Sequence, residues 1–116
     1  MKIIKNYPAT LDLRQTYNLT RNPDSRPMKN LEGASFNCEA FALYTDVNSK
    51  GEEQEILSIL TNEGDTFSTI SGTFKRDFSA IVDMCADFNT DLSSVEIEVI
   101  GGESKAGRHY IGCKMN

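Results

Sequence analysis

Six apolar side chains, Phe74, Phe78, Ile81, Val82, Cys85 and Phe88, recur at i, i+4, i+7, i+8, i+11 and i+14. That spacing draws one continuous stripe along a helix of about four turns. No other stretch beyond residue 33 keeps this period, so one amphipathic helix sits among segments of another kind. Ser71 or Thr73 can cap its start, and Asn89-Thr90-Asp91 can end it. A helix with a single apolar stripe needs a sheet or another helix to bury it, and the flanking segments read as strands.

Upstream, residues 34–47 form a long aromatic-rich strand bounded by Gly33 and by Asn48-Ser49-Lys50-Gly51. Gln54 to Thr61 is a second strand, Asn62-Glu63-Gly64-Asp65 a turn, and Thr66 to Ile70 a third strand. Downstream, Val95, Ile97 and Val99 alternate with Glu96 and Glu98, the period-two pattern of a half-buried strand. Tyr110 to Met115 is the last strand, and the glycine-rich, basic block 101–107 connects the two. Residues 1–33 are read as an N-terminal extension: a short strand from Lys2 to Tyr7, a two-turn helix over Thr10–Leu19 with Leu13 and Tyr17 on one side, and a loop at 22–27. A domain of residues 34–116 follows.

The resulting fold class is mainly β with one helix, in the order β-β-β-α-β-β. This is the order of elements in an OB-fold, a five-stranded, partly open barrel. The loops that such barrels use to grip oligonucleotides or oligosaccharides would be Val47–Glu53 and Gly101–Gly107. A plain α+β sandwich shares the element string but not that placement of loops.

Charge sharpens the expectation. The chain of 116 residues has a net charge of −5, unevenly spread. Residues 1–30 hold six bases against Asp12 and Asp24, residues 31–100 three bases against fourteen acids, and residues 101–116 three bases against Glu103. If the two basic ends meet in space, an acidic protein owns a local basic surface, which governs nucleic-acid binding more than the total does.

Several chemistries are set aside on the residues. Gly102–His109 imitates a phosphate-binding P-loop, but Arg108-His109 stands where Lys and Ser or Thr are needed, and a strand rather than a helix follows. Asp46–Gly51 imitates a calcium loop, but Lys50 occupies the fifth position and Leu57 the twelfth. His109 is the only histidine, without an elbow motif or ligand-spaced partners. Cys38, Cys85 and Cys113 read as buried small hydrophobes. No catalytic group, metal or cofactor is expected. No run approaches the roughly 18 apolar residues of a membrane helix, the first residues do not resemble a signal peptide, and cytoplasmic residence is the expectation.

Phe36, Tyr44, Phe67 and Tyr110 lie on strands near basic residues. Single-stranded nucleic acid is held by bases stacking on aromatic rings, with Lys or Arg along the backbone. The expected stacking residues are Tyr110, Tyr44 and Phe67. The expected phosphate contacts are Lys50, Lys75, Arg76, Lys105 and Arg108, with Arg26 and Lys29 adding charge.

With Ser71-Gly72-Thr73-Phe74-Lys75-Arg76-Asp77-Phe78 and Ser104-Lys105-Ala106-Gly107-Arg108 placed, the chain resembles the small single-stranded DNA-binding proteins of tailed phages and integrated elements of Gram-positive bacteria. Tyr17-Asn18-Leu19-Thr20 and Leu43-Tyr44-Thr45-Asp46-Val47-Asn48 fit the same likeness. The resemblance implies an OB-like fold, coating of displaced single strands in replication or recombination inside the bacterial host, and no enzymatic activity. Lys105, Arg108 and Tyr110 would then belong to the binding surface. The residues do not choose between DNA and RNA, and an open barrel leaves edges for a second copy. The rival reading is an interaction protein whose acidic body imitates DNA and blocks a host nucleic-acid enzyme.

Overall fold

The computed structural model describes residues 1–116. In chain order the elements are β1 (Lys2–Tyr7), α1 (Leu13–Thr20), β2 (Arg26–Pro27), a 3-10 turn at Met28–Leu31, β3 (Ser35–Val47), β4 (Glu53–Thr61), β5 (Thr66–Thr69), α2 (Gly72–Asp87), a 3-10 turn at Leu92–Ser94, β6 (Glu96–Glu103) and β7 (His109–Met115). The seven strands form one mixed sheet in the order β2-β5-β4-β3-β6-β7, with β1 paired to β3. The sheet curls into a half-barrel. Every pairing is antiparallel except the two-residue contact of β2 with β5.

The five strands and helix expected of residues 34–116 are present, the expected N-terminal strand and helix are β1 and α1, and the short β2 falls in the expected loop at 22–27, so the sheet has seven strands rather than five and the chain two helices. The expected extension is not separate from the barrel, because the strands of residues 1–33 are hydrogen-bonded into its sheet. β1 runs along β3 from Lys2 opposite Thr45 to Tyr7 opposite Phe41. Asp12 caps α1, its carboxylate accepting from the Gln15 amide at 2.8 Å, and the Gln15 side-chain oxygen in turn accepts from the Asp12 amide at 3.1 Å, a complete capping box. Leu19 is the residue that α1 buries, whereas Leu13 and Tyr17 face solvent.

β3 organises everything else. One of its edges pairs with β4 along Cys38–Val47, and the other is shared by β6 at Ser35–Asn37 and β1 at Phe41–Thr45. Its register with β4 slips between Cys38 and Ala40, leaving Glu39 as an extra residue. A one-residue slip sends every later side chain to the opposite face. Phe36 and Cys38 therefore share a face with Phe41 and Leu43, while Ala40, Ala42 and Tyr44 point the other way.

Those two faces carry two cores. α2 lies on the first, where Phe74, Phe78, Ile81 and Cys85 pack with Phe36, Phe41, Leu57, Ile59, Phe67, Ile97, Val99 and Ile111. Ser71 caps this helix, accepting from the Phe74 amide at 3.2 Å. Of the stripe, Phe74, Phe78, Ile81 and Cys85 are buried as the spacing predicts and Val82 is partly buried, but Phe88, its last member, is 75% exposed where the helix ends. α1 covers the second face, where Leu19 packs with Ala40, Ala42, Tyr44 and Leu60. A chain of hydroxyls runs beneath it: Tyr44 to Ser58 at 3.4 Å, Ser58 to Ser68 at 2.6 Å and Ser68 to Ser25 at 2.9 Å. No helix is long and apolar enough to cross a membrane.

Phe78 sits at the centre of the larger core, edge-on to Phe41 at 5.1 Å and stacked with Phe74 at 6.2 Å. Phe78→Ala removes both contacts and is expected to cost about 3–5 kcal/mol in urea unfolding. A loss under about 1 kcal/mol would show that the stripe does not hold the sheet.

All three cysteines are buried and unpaired. Burial, reinforced by the neighbouring Glu39 charge, raises the Cys38 thiol far above its ordinary value of 9.0. Burial and the Asp77 carboxylate push Cys113 up to about 12. Both thiols keep their protons in the folded chain where an unfolded one would lose them, so this stability is present below 9.0 and is lost as pH rises past it. The unfolding midpoint should accordingly fall above that pH. At mildly alkaline pH a thiol reagent should reach Cys38 and Cys113 only after unfolding, and prompt labelling of either in the native protein would contradict this placement.

Candidate functional site

The half-barrel stays open between β5 and β7. β7 pairs with β6 alone, and β5 meets on its outer edge only Arg26 and Pro27 of β2, opposite Phe67 and Ser68. An unpaired strand edge carries hydrogen-bonding groups that need partners. Along the C-terminal part of β7, α2 and its cap supply them with side chains. The Ser71 hydroxyl donates to the Ile111 carbonyl at 3.4 Å, and Asp77 Oδ2 accepts from the Cys113 amide at 3.3 Å. Gly112 makes this approach possible, because a Cβ there would lie 2.5 Å from Asp77 Oδ2. Asp77 thus belongs to the junction of helix and strand.

Nothing caps the first part of β7. There the seam widens into a cleft of about 410 Å³, walled by Pro27–Lys29, by Ser68–Ser71 and by His109–Ile111. A second groove of about 370 Å³ shares Pro27 and Ser68–Ile70 and adds Arg26 and Ile56, so the two run on around the exposed side chain of Ile70. The Met28 side chain, buried in the larger core, anchors this N-terminal wall. The Gly33 amide then donates to the Val99 carbonyl at 2.8 Å, which ties the same segment to β6. By these contacts the basic N-terminal stretch reaches the basic C-terminal hairpin.

The hairpin differs from the expected loop. β6 continues through Gly101 and Gly102 to Glu103, so the connection is Ser104–Arg108 rather than Gly101–Gly107. It closes with the Ser104 amide donating to the Arg108 carbonyl at 2.8 Å and with Gly107 at φ +77°. Gly102 serves as a floor. It pairs across the strands with Tyr110, and a Cβ on it would lie 2.7 Å from the Tyr110 hydroxyl, so the ring lies flat over the glycine. Tyr110 remains 42% exposed. Beside it, His109 Nε2 meets Glu32 Oε1 at 2.5 Å, holding the 3-10 segment to β7.

The structure sorts the residues expected to bind. Lys29 and Tyr110 line the cleft, Arg26 lines the adjoining groove, and Lys105 and Arg108 are exposed in the turn that leads into the β7 wall; none of these four bases has an ionic partner within 4.0 Å. Lys50 is also exposed and unpaired, but its turn lies beyond Val47, at the opposite end of β3 from the β6–β7 hairpin. Lys75 is committed elsewhere: its ammonium donates to the Glu55 carbonyl at 3.1 Å and lies 3.4 Å from the Glu55 carboxylate. Arg76 is exposed on α2, 3.9 Å from its neighbour Asp77, and does not line the cleft. Tyr44 and Phe67 are corrections. Each is 5% exposed, Tyr44 under α1 and Phe67 in the core beneath α2, so neither ring can receive a base. The slip at Glu39 is what turned Tyr44 under α1.

Ile70 in the cleft wall and the Glu32–His109 contact are features that the sequence pattern does not reveal. The only sequence signal for Ile70 was an apolar residue standing immediately before the helix cap. No family model, curated protein or solved structure matches the chain.

The floor under Tyr110 is testable. Gly102→Val should drive the ring off β6, shifting its aromatic NMR resonances and costing about 1 kcal/mol of stability. Unmoved Tyr110 resonances would mean that the ring does not rest on Gly102.

Proposed function

We propose that the seam between β5 and β7 binds single-stranded nucleic acid, single-stranded DNA first, and that the chain coats such strands without strong sequence preference and without catalysis. The observation that carries this reading is the placement of four bases without acidic partners along the seam of a chain of net charge −5: Lys29 in the wall of the cleft, Arg26 in the groove that adjoins it, and Lys105 and Arg108 in the hairpin turn that leads into the His109–Ile111 wall. Elsewhere bases such as Lys5, Arg21 and Lys75 are matched to acids. Four cations held apart from carboxylates suit a polyanion that releases its counterions on binding. Tyr110 supplies an exposed ring for stacking, backed by Gly102, and Ile70 adds apolar surface on the facing wall.

The fold agrees with the reading. β3, β4, β5, α2, β6 and β7 follow one another as the five strands and helix of an OB barrel do, with the closing contact between β5 and β7 left open. In this account β1, α1 and β2 are additions to that plan. α1 covers the face on which Tyr44 would otherwise be open to a base, and the nucleic-acid strand is carried by the seam instead. The likeness to phage single-stranded DNA-binding proteins points to displaced strands in replication or recombination.

Fluorescence anisotropy with a labelled oligo-dT provides the test. Affinity should fall with salt at a log–log slope of about −0.7 per phosphate neutralised, near about −3 if four cations engage. Tyr110→Ala should weaken binding by about 1–3 kcal/mol. Lys105→Glu with Arg108→Glu should abolish it while the far-ultraviolet circular dichroism stays unchanged, since both side chains are exposed. Unchanged affinity in the double variant would remove the site. No binding at low salt, together with salt-sensitive capture of a basic protein, would replace the reading with that of an acidic inhibitor.

A further inference from the structure

Two apolar patches remain uncovered, on opposite sides of the sheet. The first lies where α2 ends: Met84, Cys85, Phe88, Val95 and Met115 line a pocket of about 230 Å³, and Phe88 is 75% exposed. Its rim is negative. Asp83 adjoins Met84, Asp87 adjoins Phe88, and Asp91 follows Thr90 of the same pocket. Asp83 is satisfied by Lys5 at 3.0 Å and Asp91 by the Tyr7 hydroxyl at 2.8 Å, whereas Asp87 has no ionic partner. The last turn of α2 holds no base either, so the partial negative charge of the helix end stands uncompensated. An occupant of this pocket should be apolar and carry a cation at its edge.

The second patch has that chemistry. On α1, Leu13 is 88% exposed and Tyr17, one turn on, is half-exposed. With Arg14 and Asn18 they form one shallow surface. Arg14 is exposed and has no acidic partner. Residues three and four apart on a helix share a face, so Leu13 and Tyr17 project together, with Arg14 beside Leu13.

We propose that α1 of one copy docks into the α2-end pocket of another, Leu13 and Tyr17 covering Met84, Phe88 and Met115, and Arg14 approaching Asp87. α1 and α2 cover opposite faces of β3 and β4. Two copies cannot therefore satisfy both contacts reciprocally about one axis. The contact is heterologous, and each docked copy presents a fresh pocket or helix to the next, which makes a head-to-tail assembly larger than a dimer, a ring if the rotation closes and an open chain if it does not. With one aromatic and one aliphatic anchor on the docking helix, it falls in the weak, reversible class of interfaces. The proposal does not depend on what the seam binds.

Sedimentation velocity of the full chain without nucleic acid tests it. The wild type should grow with concentration past a dimer. Leu13→Asp and Phe88→Asp should each be monomeric, because one lacks the docking helix and the other the pocket, yet their mixture should form a 1:1 dimer. Both side chains are exposed, so unchanged circular dichroism is expected for each. Should either variant misfold, the charge pair gives a second route: Arg14→Glu alone should weaken association about tenfold, and adding Asp87→Arg in the same chain should restore it. A wild type that stays monomeric at every concentration, a dimer that persists in either single variant, or a mixture that remains monomeric would overturn the proposal.

Discussion

The extra residue at Glu39 in β3 sets the terms for the rest of the molecule. β3 is the one strand that pairs with β1, β4 and β6, so whatever fixes its faces fixes theirs. Before the slip, even-numbered residues face α2; after it, odd-numbered residues do. One strand thereby supplies two aromatic residues to one core, Phe36 and Phe41, and a third, Tyr44, to the other. A bulge also adds twist, in keeping with a sheet that curls into a half-barrel.

The same curl brings β5 and β7 toward each other without joining them. Backbone pairing would have sealed the seam along its length. Instead Ser71 and Asp77 cap the Ile111 and Cys113 positions, and the stretch from His109 to Ile111 is left beside a cleft. A small region therefore holds both the junction of α2 with β7 and the proposed binding surface. Gly112 and Gly102 serve these two tasks in turn, the first admitting a carboxylate to the strand edge and the second admitting a ring to its face.

Electrostatics divides along the same lines. The acidic middle of the chain is partly neutralised by bases that staple elements together, as Lys5 joins β1 to α2 through Asp83 and Lys75 joins α2 to β4 through Glu55. Of the bases left over from that work, Arg26 and Lys29 line the seam and Lys105 and Arg108 stand in the hairpin next to it, while Lys50 and Arg14 lie elsewhere. At the far end of α2 one acid, Asp87, is left over instead, beside an apolar pocket. The two proposals rest on these unmatched charges, of opposite sign and in different places.

Local pattern determined a good deal on its own. The spacing from Phe74 to Cys85 gave the helix and its buried face, Ser71 its start, and alternation with turn residues gave β3 to β7 nearly to their ends. The split of charge between the ends and the middle was equally plain, and so were the failures of the P-loop and calcium-loop likenesses. These signals are carried by residues near one another in the chain, where propensity and period act. Tertiary structure decided the rest. No local signal marks Glu39 as the slip that buries Tyr44, or shows that Gly101 and Gly102 extend β6 rather than loosen a loop. Nor does one assign Lys75 to Glu55, or show that β2 reaches β5 and so brings Arg26 and Lys29 to the seam that Lys105, Arg108 and Tyr110 flank. Each depends on partners tens of residues away, and such a contact is chosen by how whole faces pack, which no short stretch of sequence contains.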